Sequence, residues 1–228
     1  GGTSTSPIRL WSQTNFGEDL IFGYRNGPIY YWDATNGLTT RGVLLSSISN
    51  ASNVPTDQNV LLVSDVSRFV FAFGCNALAS ATVNPMLIRW SDQENPAQWT
   101  PAATNQAGSV QLSNGSKIIT THQARQEILV WSDSSLYSLQ YVGAPVVWGT
   151  QLVGENISIV STNAVAYAND TAYWMGIGKF YKYGGRTEPL DCNLRKFVFN
   201  DINTDQYEQI CAGTLEDQNE IWWFYCSA

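Results

Sequence analysis

The stretch ILVWSD at residues 128–133 decides the fold, because strand-forming runs centred on a tryptophan recur along the chain. Trp131 in this stretch has counterparts at Trp32, Trp90, Trp174 and Trp222, and the steps between the five are 58, 41, 43 and 48 residues. Strand-rich repeats of about 40–50 residues are typical of β-propellers, in which each repeat forms one blade. The sequence therefore predicts an all-β, β-propeller-like fold.

Each of these tryptophans lies on the second strand of a predicted hairpin. In the first, residues 19–24 and 28–32 flank Asn26-Gly27, and Asn-Gly between apolar runs is a strong hairpin signal. Further turns are predicted at 124–126, 169–170 and 216–219, and third strands at 136–143 and 179–185. The repeated unit is thus a β-propeller-like antiparallel hairpin.

Residues 193–202 depart from the strand pattern. Leu194, Phe197, Val198 and Ile202 share one helical face there, which predicts a short helix inserted between the fourth and fifth repeats. We expect one propeller-like domain over residues 1–228 that ends inside the fifth repeat. An unpaired last strand would invite aggregation, so the hypothesis is that this chain is a fragment of a longer polypeptide, or that the remaining chain is disordered or cleaved away.

Charged residues make up 14% of the chain, about half the usual share, and the net charge is −7. The basic residues are scattered, so a protein that grips nucleic acid through its phosphates is not expected. No apolar run approaches the roughly 18 residues that a membrane span needs. These features favour a binding or structural protein without a membrane partner.

The sequence contains no recognisable catalytic or metal-binding constellation. His122 is the only histidine, which leaves little for a catalytic triad or a multi-histidine site. The run from Asp201 to Asp205 imitates the start of a calcium loop, but Gln206 and Ala212 stand where that loop needs Gly and Glu. Four cysteines lack any C-x-x-C spacing and are interpreted as reduced thiols. We expect no enzyme activity, no catalytic residues, no metal and no cofactor.

The tryptophans divide into two predicted classes. Those on the repeated strand are interpreted as structural, with the Ser-Asp after Trp90 and Trp131 capping the following turn through backbone N–H groups. Three others lie off that strand and are the candidates for a binding surface: Trp11, Trp99 and Trp148. They leave open an alternative function, a carbohydrate-binding or receptor-binding propeller module. On this interpretation Trp148→Ala is expected to be mild.

Several motifs resemble a family of tailed-bacteriophage virion proteins. The similarity spans essentially the whole chain and is carried by LWSQTNFGEDL (10–20), GPIYYWD (27–33), RWSDQENPAQWTP (89–101), AYWMG (172–176) and EIWWFY (220–225). It brings no catalytic residues with it.

The resemblance implies a structural component of a phage tail: a tube, hub or nozzle protein in the virion, made in the host cytoplasm. Such proteins typically form homo-oligomeric rings around the DNA channel, often of six copies, and contact other tail or portal-adapter proteins. DNA is then expected to pass during ejection without being specifically bound.

Overall fold

The computed structural model describes residues 8–65 and 67–228. The chain is all-β, with β-propeller-like repeats of antiparallel hairpins and one short α-helix, as the sequence predicts. Its described residues divide into two compact units: those from 8 to 118 together with 141–149, and 119–140 together with 150–228. The single domain expected over 1–228 stays a prediction.

Among the described residues, four sheets have four strands each and a fifth has two. The first two sheets are built from β1 (Trp11–Phe16), β2 (Asp19–Tyr24), β3 (Ile29–Trp32) and β4 (Val43–Leu44), then β5 (Val60–Val63), β6 (Val70–Phe73), β7 (Leu87–Trp90) and β8 (Gly108–Gln111). The third and fourth are built from β9 (Ile118–Gln123), β10 (Ile128–Ser132), β11 (Ser135–Gly143) and β12 (Val147–Glu155), then β13 (Val165–Ala168), β14 (Thr171–Met175), β15 (Phe180–Tyr183) and β16 (Thr187–Leu190). After α1 (Arg195–Asp201), the fifth contains β17 (Cys211–Leu215) and β18 (Glu220–Phe224).

Strands that follow one another in sequence are hydrogen-bonded neighbours in every sheet, which is the order of a propeller blade. The predicted hairpin turns are confirmed. Asn169 and Asp170, with φ of 50° and 57°, form the two-residue turn between β13 and β14, and such positive φ values are what a type I′ hairpin turn requires. Asn26, with φ of 58°, has the same left-handed conformation between β2 and β3.

The repeated tryptophans do not occupy equivalent strands, contrary to the uniform repeat that their spacing suggests. Trp32 and Trp90 lie on the third strands of their sheets, β3 and β7, whereas Trp131 and Trp174 lie on the second strands, β10 and β14. Sequence reasoning overlooked β1 and β5, the first strands of the first two sheets.

Each compact unit has its own apolar core. In the first unit, Ile21, Ile29, Val70 and Trp99 belong to one cluster of buried side chains. In the second unit, the corresponding cluster is built around Trp131 and Trp174. Some of the strands that supply these residues alternate inward apolar side chains with outward ones. Others, such as β6, β7 and β10, are buried on both faces.

The turns after Trp90 and Trp131 are capped as predicted. Ser132 Oγ accepts hydrogen bonds from the backbone N–H groups of Ser134 (3.3 Å) and Ser135 (2.9 Å). Asp92 Oδ1 accepts from the backbone N–H groups of Gln93 (2.9 Å) and Gln106 (2.8 Å). A short polar side chain thus satisfies backbone donors where the strand ends.

The inserted helix is confirmed at Arg195–Asp201, but its predicted apolar face is only partly correct. Val198 is half-buried and Ile202 is buried, whereas Leu194 and Phe197 are exposed. Phe199 packs instead, with its ring centroid 5.3 Å from that of Phe180. The helix has only seven residues, so its orientation is set by these packing partners and not by its own periodicity.

All four cysteines are free thiols, in agreement with the sequence interpretation. Cys75 is buried, and this burial raises the pKa of its thiol to about 12, so it stays protonated. In the described part of the chain, no helix has both the length and the apolar character that crossing a membrane requires.

Candidate interaction surface

Two of the three tryptophans proposed for a binding surface are core residues, and this corrects the sequence interpretation. Trp99 is 1% exposed, and its Nε1 donates to the Pro96 carbonyl at 2.7 Å. Trp148 is 6% exposed and packs edge-on against Phe71, with ring centroids 4.9 Å apart. Trp148→Ala should therefore be destabilising and not mild, because aromatic side chains surround the ring that it removes.

The structural assignment fits Trp90, Trp131 and Trp174, which are buried. Trp32 is only half-buried, because its ring lies on a surface of the first sheet. The assignment is wrong for Trp222, which is 45% exposed. Its neighbour Trp223 faces the core instead: Trp223 Nε1 donates to the Ala164 carbonyl at 3.0 Å, and the ring lies 5.1 Å from that of Phe180. Adjacent side chains on a strand point to opposite faces, so only one residue of the Trp-Trp pair can be inside.

Trp11 is the one candidate that remains exposed, at 56% of its surface. It belongs to a continuous apolar surface on the first sheet, which we call the aromatic face. Its members share one side of the four strands: Trp11, Leu20, Phe22, Tyr24, Tyr30, Trp32 and Leu44. All of them are exposed or half-buried.

The strand registers place the members of the aromatic face side by side. Trp11 lies opposite Tyr24, and Phe22 lies opposite Tyr30. The ring centroids of Trp11 and Tyr24 are 5.5 Å apart, and those of Phe22 and Tyr30 are 5.4 Å apart in a stacked arrangement. Such cross-strand aromatic pairs stabilise an antiparallel sheet and order the rings before any partner arrives.

Two glycines allow this arrangement. A Cβ on Gly27 would overlap the Tyr24 ring, and a Cβ on Gly42 would lie 2.7 Å from Cζ of Phe22. The backbone therefore approaches both rings more closely than any other residue would permit. At one end of the face, the guanidinium carbon of Arg9 lies 4.9 Å from the centroid of Tyr24, within cation–π range.

The aromatic face has a polar border. Gln13 and Asn15 alternate with inward residues on β1 and are exposed beside the rings. Trp32 Nε1 donates to the Thr40 carbonyl at 2.9 Å, which fixes the indole at the opposite side. Behind β3, the Tyr31 hydroxyl donates to Asp19, and burial together with this carboxylate raises the pKa of Tyr31. The phenol stays protonated at neutral pH and anchors the strand that carries Tyr30 and Trp32.

The arrangement can bind an apolar or planar partner, but it carries no nucleophile or acid–base pair. A separate cleft of about 480 Å³ in the second unit is lined in part by Tyr173, Trp223, Glu216 and Glu220. Glu220 accepts a hydrogen bond from Trp222 Nε1 at 2.7 Å. Within the described ranges, no group of three or more His, Cys, Asp and Glu residues is placed to hold a metal ion.

Sequence reasoning found Trp11 but missed the surface to which it belongs. The signal was present in the alternation of LIFGY (20–24), where Leu20, Phe22 and Tyr24 share one face and Ile21 points inward. The first sheet was expected to begin at 19, so the exposed side chains of β1 had no assigned neighbours.

Comparison with known proteins identifies no family. No protein-family model and no curated protein matches the chain. Among solved structures, the crystal structure of Hsv2 from Kluyvelomyces marxianus is similar with a TM-score of 0.42 and 8% identity, over 92% of this chain and 56% of that one. The computationally designed Ika8 protein is similar with a TM-score of 0.37 and 10% identity, over 94% of this chain and 70% of that one. The chain thus spans little more than half of Hsv2, and neither likeness indicates a function.

Proposed function

We propose that this chain is a non-catalytic structural component of a bacteriophage tail, a hub or nozzle protein that forms a ring of copies around the DNA channel. The observation that carries the proposal is the aromatic face, which is ordered, contiguous and uncovered, with Trp11 56% exposed at its edge. Contiguous exposed apolar surfaces on otherwise polar proteins mark interaction sites. We assign this face to contacts between copies.

The composition of the face fits such a contact. Tyrosine, tryptophan and phenylalanine are enriched at the buried centres of protein interfaces, and charged residues are depleted there. Five of the seven members of the aromatic face are aromatic, and none is charged. A few aromatic residues supply most of the affinity of an interface, tryptophan is among the commonest of them, and truncating one costs about 2 kcal/mol or more.

The charge of the chain is compatible with a DNA channel. Several cations already have partners: Arg125 pairs with Asp170 at 3.2 Å, Lys182 pairs with Glu188 at 3.4 Å, and Arg186 pairs with the same Glu188. Phosphate contacts by lysine and arginine strengthen DNA binding, so a chain of net charge −7 with scattered cations lets a duplex slide.

We expect the purified chain to self-associate and Trp11→Ser to weaken that association at least thirtyfold, the equivalent of about 2 kcal/mol. Sedimentation velocity over a range of concentrations measures both. Ile177→Ser is the matched control, because Ile177 is an exposed apolar residue outside the aromatic face. A wild-type chain that remains monomeric, or a Trp11→Ser chain that assembles normally, would contradict the proposal.

One observation favours a second function, a carbohydrate-binding or receptor-binding module. Gln13 lies two residues after Trp11 on β1, and both side chains are exposed on the same face. An aromatic ring can stack on a sugar ring while a neighbouring amide hydrogen-bonds to its hydroxyl groups. The same variants separate the two functions. A monomeric wild type that binds glycans on an array, with binding lost in Trp11→Ser and kept in Ile177→Ser, would favour this second function over assembly.

A further inference from the structure

We propose that a polar cleft in the first compact unit binds an uncharged carbohydrate, at a site separate from the aromatic face. The polar cleft has a volume of about 480 Å³ and lies between the loop that joins β7 to β8 and the turn that joins β11 to β12. Ala144 lines it from the turn, and both segments belong to the first unit. Five polar residues of the loop also line it: Asp92, Gln93, Glu94, Asn105 and Gln106.

Hydrogen bonds hold the amide groups of the polar cleft in place before a ligand arrives. Gln106 Nε2 donates to Gln93 Oε1 at 2.9 Å, and Gln106 Oε1 accepts from the Tyr141 hydroxyl at 3.0 Å. Asp92 Oδ1 also accepts from the backbone N–H groups of Gln93 and Gln106, which ties the two ends of the loop together. A ligand that binds groups already ordered in this way pays a smaller entropic cost.

Two side chains of the polar cleft keep hydrogen-bonding groups for a ligand. Glu94 is exposed, and its carboxylate forms no hydrogen bond or ion pair with any described residue. Gln93 Nε2 likewise donates to no residue in the part of the chain that the structure describes. The polar cleft thus offers a carboxylate acceptor beside an amide donor. Adjacent hydroxyl groups of a sugar match this pair, because each hydroxyl both donates and accepts.

Tyr141 supplies an aromatic surface at the border of the polar cleft. Its ring packs against Trp148 and Phe69, with centroids 5.5 Å and 5.9 Å apart, and 45% of the residue remains exposed. These two neighbours fix the orientation of the ring, and the hydrogen bond to Gln106 brings its hydroxyl to the lining of the cleft. The C–H face of a sugar ring can stack on such an aromatic ring while its hydroxyl groups bind the polar side chains alongside.

The charge of the lining argues against other classes of ligand. Asp92 and Glu94 are acidic, and the described residues that line the polar cleft include no lysine or arginine, so phosphate groups and acidic sugars would be repelled. Two carboxylates fall short of the oxygen ligands that a calcium ion needs. An apolar ligand would need predominantly hydrophobic walls. An uncharged ligand rich in hydroxyl groups fits the lining best.

Saturation-transfer NMR tests the inference. The probes are glucose, galactose, mannose and N-acetylglucosamine with their short oligomers, and sialic acid is the charged comparison. We expect the wild type to transfer saturation to at least one neutral sugar and not to sialic acid. Tyr141→Ala removes the stacking surface and Glu94→Ala removes a carboxylate acceptor, so each should weaken binding by roughly tenfold or more. Tyr141→Phe keeps the ring and should lose less than Tyr141→Ala.

The controls separate this site from other sites and from unfolding. Glu18→Ala removes an exposed carboxylate elsewhere in the first unit, and Trp11→Ser changes the aromatic face, so both variants should bind sugar as the wild type does. Glu94 is exposed, so Glu94→Ala should keep the wild-type melting temperature even if Tyr141→Ala is destabilised by its lost contact with Trp148.

Three results would overturn the proposal. A wild type that binds no neutral sugar of the panel, or binds only sialic acid, would exclude the proposed ligand class. Binding that is lost in Trp11→Ser but kept in Glu94→Ala would place the sugar on the aromatic face instead. Self-association is measured separately by sedimentation velocity, so none of these results decides whether the chain assembles.

Discussion

Replacing Trp131 by alanine should lower the free energy of unfolding by about 3–5 kcal/mol, which is the usual cost of deleting a buried tryptophan. Trp131 is fully buried and contacts Trp174 edge-on, with ring centroids 5.4 Å apart. Trp174 in turn stacks on Tyr181 at 5.4 Å. Alanine would leave a cavity at the centre of the second unit that rigid aromatic neighbours cannot fill. Urea unfolding followed by circular dichroism measures the change.

Phenylalanine variants provide the control. Trp131 Nε1 has no hydrogen-bond partner among the described residues, so Trp131→Phe loses packing alone. Trp174 Nε1 donates to the Ser158 carbonyl at 3.0 Å, so Trp174→Phe also leaves that acceptor unsatisfied and should cost more. Trp222→Ala should be nearly neutral. If Trp131→Ala, Trp131→Phe and Trp174→Phe changed the free energy of unfolding as little as Trp222→Ala does, the assignment of Trp131 and Trp174 to the core would be refuted.

Replacing Arg89 by methionine should cost about 3 kcal/mol or more, although methionine keeps most of the side-chain volume. The Arg89 side chain is 2% exposed and donates to the carbonyls of Asn53 (2.7 Å), Asn76 (3.2 Å) and Trp99 (3.4 Å). Each buried acceptor left without a donor costs roughly 1–3 kcal/mol. The same guanidinium lies 6.0 Å from the centroid of the Trp99 ring.

Arg89 therefore joins three loops to one strand of the second sheet. Burial lowers its pKa, yet a guanidinium remains charged in proteins, so its donors are always available. Arg89→Lys should be nearly as damaging as methionine, because one ammonium group cannot reproduce the planar fork that reaches three carbonyls. Arg41→Met at an exposed position is the control. Full stability in the lysine variant would contradict this role.

The hairpins could be predicted from the sequence because their signals are local. Asn-Gly at 26–27 and Asn-Asp at 169–170 favour left-handed backbone conformations, and the flanking runs alternate or are wholly apolar. The sequence signals for the strands β1 and β5 were weaker. β1 is WSQTNF, a largely polar strand whose existence depends on its pairing with β2, and pairing between strands is not encoded in either strand alone.

The candidate surface was predicted less completely, since exposure depends on residues far away in sequence. Trp99 is buried because it packs in the cluster that contains Ile29 and Leu45, and Trp148 is buried because Phe69 and Phe71 surround it. Neither contact leaves a local signature. In the Trp222-Trp223 pair, a shift of one residue decides which ring faces inward, and only the partner strand fixes that register.

The proposed tail assignment is tested most directly by immunogold electron microscopy of virus particles purified from a lysate in which this chain is produced. We expect antibodies raised against residues 1–228 to label the tail in a ring-like or tip-localised pattern and to leave the capsid unlabelled. Tails without label, with the chain found only in the soluble fraction of the lysate, would contradict the assignment.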